Sequence, residues 1–477
     1  MSDIGSPGRD RRGQGRTTRL HSNGAAPGTG ADADAETCAN ADATAPAGAA
    51  APPRLAPPHL ADAGQRAAQA AAETAARRSY GRLLAWLAAR TRDLSAAEDA
   101  LADAFAAALA TWPSRGVPQN PEGWLAVAAR RRLIGAARHQ AVAARAAPAL
   151  ELLSEERMAL PDPDTPEAPS DSLPDERLKL MFAVAHPAID PRMHMPLMLQ
   201  CVLGFDAAAI ARACLIAPAT MGQRLSRAKA KIRAAGIPFA LPSDSDVADR
   251  LDPVLDAIYV AFGLAWDDPD GRRELAQEAL WLGDLVARCM PNAAEAQGLP
   301  ALMRFAYARR AARRDAQGGF VPLDEQETAL WDGAMIAQAE RDLARAAVLR
   351  QPGRFQLEAA IQAVHADRAR TGRTDWAALS GLYRLLWRVA PTMATLCGEA
   401  AVTLRQGAPA EALARLEAAA DAARDYQPWW AVRAEALRQL GRSSDASAAA
   451  RHAAALTPDA AARRWLLARA GGPAADG

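Results

Sequence analysis

The stretch "FDAAAIARACLIAPATMGQRLSRAKAKIRAAGIPF" (residues 205–239) carries the pattern that decides the fold. Gly204-Phe205-Asp206 opens a helix that runs through Arg212. Ile216-Ala217-Pro218 separates it from a second helix, which starts with Pro218 and Thr220 and runs to Arg233. Pro238 and Pro242 close the segment. Two helices joined by a short turn make helix-turn-helix geometry. The second helix carries Arg224, Arg227, Lys229, Lys231 and Arg233 and no acid. Its first turn holds Thr220 and Gln223, side chains that can bond base edges, while the cations can hold phosphate. A basic amphipathic helix can instead bind acidic protein, but the preceding helix and turn point to DNA.

N-terminal to this segment, two helices carry opposite charge. Helical periodicity sets in at Glu73 and continues to about Arg145, with Leu83, Leu84 and Leu87, then Leu101, Phe105 and Leu109, on repeating faces. Ser95 and Glu98 form a capping box that starts a helix, and Trp112-Pro113 ends it. This helix has Glu98, Asp99 and Asp103 and no basic residue, as a solvated face or a docking surface for a basic partner would. Asn120-Pro121-Glu122 starts the next helix. That one has Arg130, Arg131, Arg132 and Arg138, with Trp124, Leu125 and Val127 beside them. Arginines neutralise phosphate and an aromatic ring can stack on an exposed base.

Residues 146–174 are acidic and punctuated by proline, which reads as a linker. Residues 1–72 are rich in Ala, Gly, Pro, Asp and Thr and read as a disordered tail, basic at its start through Arg9, Arg11, Arg12, Arg16 and Arg19. Beyond Asp249 only amphipathic helices are expected, with loops near Asp267–Gly271, Pro291–Pro300, Asp315–Leu323, Gln351–Arg354 and Arg370–Thr374. A repeat ends the chain. Gly407, Glu411 and Ala412 return 34 residues later as Gly441, Asp445 and Ala446, which is the tetratricopeptide period. Each glycine falls where one helix must turn into the next.

Composition narrows the class. The chain has 477 residues, half of them hydrophobic but only 5% aromatic, and much of the apolar share is alanine, so an all-α fold is expected. The expected order is a tail (1–72), a three-helix region (73–145), the linker (146–174), the helix-turn-helix (175–240), a helical extension (241–350) and a tetratricopeptide-like part (351–477). No apolar run reaches the ~20 residues of a membrane span, and no apolar segment follows the N-terminal arginines as in a secretory signal. A soluble cytoplasmic protein is expected. The five cysteines form no CxxC pair; His186, His194, Cys201 and Cys214 lie close in sequence but lack metal-ligand spacing, so they read as core residues. No GxSxG, Walker loop, HExxH or GxGxxG in a strand–helix context is present, so neither an enzyme nor a cofactor is expected.

These segments resemble the sigma-70 superfamily, in its small extracytoplasmic-function group. "DLSAAEDALADAFAAAL" resembles the region 2 helix that docks on the clamp of core RNA polymerase. "NPEGWLAVAARRRLIGAARH" resembles the helix that reads and melts the minus-10 element, and residues 205–239 resemble the region 4 helix-turn-helix that reads the minus-35 element. "LPDERLKLMFAVAHPAI", "PLDEQETALWD", "QLEAAIQAVHA" and "TDWAALSGLYRLL" resemble the subgroup with a C-terminal tetratricopeptide-like extension.

The resemblance spans about Glu73 to Leu467. It implies that Thr220, Gln223, Arg224, Arg227, Lys229 and Lys231 contact the minus-35 element, and that Trp124, Arg130, Arg131, Arg132 and Arg138 contact the minus-10 element. It implies that Glu98, Asp99, Asp103 and Phe105 dock on core polymerase. The implied partners are core RNA polymerase, promoter DNA and a protein or small molecule for the extension, which would stand in for a separate regulator. Four departures stand out: Gly135 replaces the usual Asp, which is expected to loosen the end of its helix; Cys214-Leu215 replaces "LG" in the turn; Ala217 replaces a frequent Pro; and residues 262–266 depart from the subgroup's pattern. Two other readings are a helix-turn-helix regulator with a tetratricopeptide-like sensor and no role as a polymerase subunit, and a scaffold.

Overall fold

The computed structural model describes residues 58–91, 93–144, 175–235, 244–265 and 273–471. Among these the chain is all-α. Helices are interrupted by short 3-10 turns and one isolated bridge between Arg314 and Phe320, and no strand forms. The expected linker, the tail up to residue 57 and the loop at Asp267–Gly271 lie outside the described residues.

The first three helices, α1 (Pro58–Thr91), α2 (Leu94–Arg115) and α3 (Pro121–Ala144), pack on one another. α1 begins well inside the stretch expected to be disordered. Alanine is the strongest helix former, and the small side chains of Ala68, Ala72 and Ala75 are buried, so this segment forms a close helix contact without large apolar groups. Gly64 of α1 lies against the Pro113 carbonyl of α2. α2 starts one residue before Ser95. Its cap is Asp93, which accepts the Ala96 N–H at 3.0 Å, so Ser95 is not the capping residue and Glu98 is left to point elsewhere. Pro113 does not end α2 but sits in its last turn. Termination falls to Gly116, at φ 83°, whose N–H bonds to the Trp112 carbonyl at 2.9 Å. Glu122, at the start of α3, accepts from Ser79 and Arg82 of α1. α3 runs unbroken through Gly135 to Ala144.

The second group is α4 (Glu176–Val184), α5 (Pro191–Cys201), α6 (Ala207–Ala213) and α7 (Pro218–Ala235). Each of the first three has an Asp cap: Asp175, Asp190 and Asp206 accept backbone N–H groups of Arg177, Arg192 and Ala209.

α8 (Asp244–Asp249) leads into α9 (Leu251–Ala265), which buries Val254, Leu255, Ile258, Ala261 and Phe262 against α5, α10 (Arg273–Cys289) and α11 (Ala294–Ala308). The turn before α11 is shorter than the expected Pro291–Pro300 loop. Pro300 lies within the helix because the surrounding Leu299, Ala301, Leu302 and Met303 all enter the core. α12 (Gly333–Val348) and α13 (Arg354–Ala366) complete this part. One buried cluster is continuous from Ala68 to Ala359, so the first bundle, the helix-turn-helix group and the extension share a core.

The remaining helices are α14 (Arg368–Thr371), α15 (Trp376–Val389), α16 (Met393–Arg405), α17 (Pro409–Glu417), α18 (Gln427–Gln439), α19 (Ser443–Leu456) and α20 (Ala460–Gly471). Gly407 (φ 81°) turns α16 into α17, and Gly441 (φ 74°) turns α18 into α19. Both turns have the same pair of bonds. Gly407 and Ala408 donate to Leu404 and Thr403; Gly441 and Arg442 donate to Arg438 and Leu437. This is the Schellman arrangement, which needs a left-handed residue at the glycine. Ala412 and Ala446 are buried at the equivalent close contacts.

Candidate nucleic-acid interface

α7 is amphipathic in the manner its sequence requires. Met221, Leu225 and Ile232 are buried, and Gln223, Arg224, Arg227 and Lys231 are exposed on the outer side. Arg227 donates from Nε to the Gln223 carbonyl at 3.3 Å. Thr220 is half-buried. No acidic side chain lies on this helix, so the outer face is a row of cations at helical spacing, able to meet a polyanion.

The turn before α7 depends on Leu215. It takes φ 53°, a left-handed conformation costing a residue with Cβ roughly 1–2 kcal/mol, and its side chain is 69% exposed. The turn is held by bonds from Cys214 to Ile210, Leu215 to Arg212 and Ile216 to Ala211. The "LG" pattern would place glycine at this position, and the backbone keeps the glycine-like angle although the residue is leucine.

On α3, Arg131 and Arg138 are seven residues apart and share an exposed face. Arg132 is exposed and lies 3.7 Å from Asp103 of α2. Arg130 is half-buried. Trp124 is not displayed for stacking: its ring meets the buried Trp112 edge-to-face at 5.5 Å and belongs to the core margin.

The expected docking residues of α2 divide. Asp99 and Asp103 are exposed. Phe105 is half-buried and stacks on Tyr80 of α1, with ring centres 6.4 Å apart. Glu98 is largely covered, and its cover is α7. Lys229 Nζ lies 2.6 Å from Glu98 Oε1, with the two side chains only 16% and 17% exposed. Lys229 is therefore turned toward α2 and is not part of the outer face with Arg224 and Arg227. Cys201, at the end of α5, donates to the same carboxylate oxygen at 3.6 Å, and Arg233 approaches Asp93 at 3.8 Å. Burial, then Glu98, raises the Cys201 thiol well above its ordinary value, so it stays protonated as a donor. Tyr80 is raised likewise, by burial first and Glu98 second.

Sequence reasoning missed Gly81, Asp93 and Cys201, which join the two groups. A Cβ on Gly81 of α1 would stand 1.7 Å from the Val202 carbonyl oxygen beyond α5. The only signal was an isolated glycine inside a helical pattern. The four residues considered for a metal do not converge: His194 donates to the carbonyls of His186 and Ile189, and Cys201 meets Glu98. Among the described residues no group of three or more His, Cys, Asp or Glu is arranged to hold a metal ion, and no helix is long and apolar enough to cross a membrane.

An uncharacterized protein of Rhizobium meliloti (strain 1021) is 37% identical to this chain over 385 residues, covering 79% of the chain and 89% of the relative. The chain belongs to that protein's family. Residues 250–347 also match a family of unknown function, DUF6596, and this stretch is α9 to α12 with the turns between them. No solved structure matches.

The matched stretch includes part of the clamp on the helix-turn-helix group. Arg250 donates to the Phe182 carbonyl of α4 at 3.3 Å, and Glu278 of α10 pairs with Arg177 of α4, whose guanidinium also lies 4.9 Å from the centre of the Trp281 ring. It also contains a cleft of about 420 Å³ beside Arg304, which bonds Asp284 through both carboxylate oxygens (2.7 and 2.6 Å) and reaches the buried Asp342.

Proposed function

We propose that the chain is a polymerase specificity subunit, a sigma factor of the extracytoplasmic-function type, with a helical extension that regulates it from within the same polypeptide. The observation that carries this reading is the α6–α7 pair. It is a helix-turn-helix whose second helix faces outward with Gln223, Arg224, Arg227 and Lys231 and carries no acid. The basic face of α3 and the exposed Asp99 and Asp103 of α2 supply the second DNA contact and the polymerase contact that the resemblance calls for. In this reading the protein acts in the cytoplasm, uses no cofactor and catalyses no reaction itself. The extension's packing on α4 and α5 supports a regulatory role, because α9 and α10 touch the helix-turn-helix group directly.

The covering of Glu98 and Phe105 favours a second reading, a DNA-binding regulator that does not join polymerase. Co-purification with core RNA polymerase separates the two. A subunit forms a stoichiometric complex that Asp99→Lys and Asp103→Lys weaken; a plain regulator binds duplex DNA and leaves polymerase alone.

A further inference from the structure

α2 and α7 cover each other. The basic edge of α7 is seated on the acidic edge of α2 through Lys229–Glu98 and Arg233–Asp93, while Cys201 closes on the same carboxylate. α3 packs on α2 as well. The two DNA-facing helices thus lie within the width of a helix bundle. Promoter elements centred at minus-10 and minus-35 are about 25 base pairs apart, on the order of 85 Å along B-form DNA. Both faces cannot engage them in this arrangement. The chain between α3 and α4, residues 145–174, is on the order of 30 residues and can at full extension reach on the order of 100 Å, long enough for the two groups to part once the apolar contact they share opens.

We propose that this is a closed, self-inhibited state, in which the recognition helix is held on the polymerase-docking helix by the Glu98–Lys229 pair and by the backbone approach at Gly81. The inference rests on the sigma-factor reading above and adds its regulation. α7 competes with polymerase for α2, and α2 competes with DNA for α7. Binding at either face favours opening and so favours binding at the other, because a closed population lowers the apparent affinity for each partner by the fraction that is open.

Gly81 gives an opening device that touches neither face. Any side chain there collides with the Val202 backbone, so Gly81→Val wedges α1 from α5. Glu98→Gln removes the buried carboxylate by another route. Glu73→Gln, an exposed position on α1, is the charge-matched control.

The experiment measures binding of full-length protein to a fluorescein-labelled random-sequence DNA duplex by anisotropy, with circular dichroism to establish that each variant is folded. The expected result is binding at least ~10-fold tighter for Gly81→Val and Glu98→Gln than for the wild type, and within about twofold for Glu73→Gln. Folded Gly81→Val and Glu98→Gln proteins that bind no more tightly than the wild type overturn the closed state while leaving the DNA-binding reading in place. A gain in Glu98→Gln that Glu73→Gln matches, without a gain in Gly81→Val, is a general charge effect and also overturns it. Absence of binding by every form, including the wild type at low salt, removes the DNA-binding reading and this proposal with it.

Discussion

Lys229 Nζ and Glu98 Oε1 stand 2.6 Å apart across the contact between α7 and α2. One basic helix therefore has two edges with different roles. Lys229 is turned toward protein, and Arg224, Arg227 and Lys231 are the cations exposed on the other edge. The distinction depends on tertiary packing, since all four side chains look alike in sequence.

The exposed edge has a direct thermodynamic signature. Arg224→Ala and Arg227→Ala should each weaken DNA binding and lower the dependence of log K on log salt concentration by about 0.9. Equilibrium titrations over a range of salt concentrations check this. An unchanged slope in both variants would remove α7 from the interface.

The start of α13 is capped from a distance. Its own cap position is Gly353, which has no side chain. The Glu295 carboxylate of α11 takes its place, accepting the Phe355 and Gln356 N–H groups at 2.7 and 3.1 Å. Glu295→Ala should destabilise the fold by roughly 2 kcal/mol through two orphaned donors. Gly353→Ala should also destabilise it, because a Cβ there would meet the Glu295 carboxyl carbon at 2.2 Å. Denaturant titrations read both, and a neutral Glu295→Ala would show that water replaces the cap without loss.

Asp342 is almost fully buried, with its side chain 3% exposed, and is held by Arg304, Gln338 and Arg345. Arg304→Met should cost about 3–5 kcal/mol, because it leaves the buried carboxylate without its main counter-charge. Arg345→Ala, at an exposed guanidinium, should cost less than about 1 kcal/mol. Equal losses in the two variants would contradict this division.

His365 packs edge-on to Trp376 and is lowered from its ordinary value to about 4, chiefly by burial and then by Arg309 and Arg368. The folded protein thus resists protonation of a ring that the unfolded chain protonates near pH 6.5. Stability should be flat above that pH, fall as the pH drops toward 4, and level off below it, with a total contribution of at most ~3 kcal/mol. His365→Gln should flatten this part of the pH profile. A profile identical to the wild type would assign the acid sensitivity to other groups.

Much of the helix plan was legible because local rules governed it. A helix opens at Asp206 as expected, with Asp206 as its cap, and Gly407 and Gly441 carry the left-handed angle that a helix-to-helix turn requires. Errors arose where packing overrode local signals. The alanine-rich Pro58–Ala72 segment is helical because small side chains suit a close contact. Asp93 took the cap from Ser95, and the apolar face of α11 carried Pro300 into a helix. At the candidate site the outward residues of α7 and α3 were readable from helical spacing. The Glu98–Lys229 pair and the Gly81–Val202 approach were not, since each joins residues more than a hundred positions apart.

The most direct test of the account is run-off transcription with purified core RNA polymerase, the full chain and a DNA fragment carrying its own upstream region. The account predicts a discrete start that requires both proteins, with Arg224→Ala and Arg227→Ala reducing the yield and Gly81→Val raising it. No transcript, together with no binding to core polymerase by the wild type or by Gly81→Val, would contradict it.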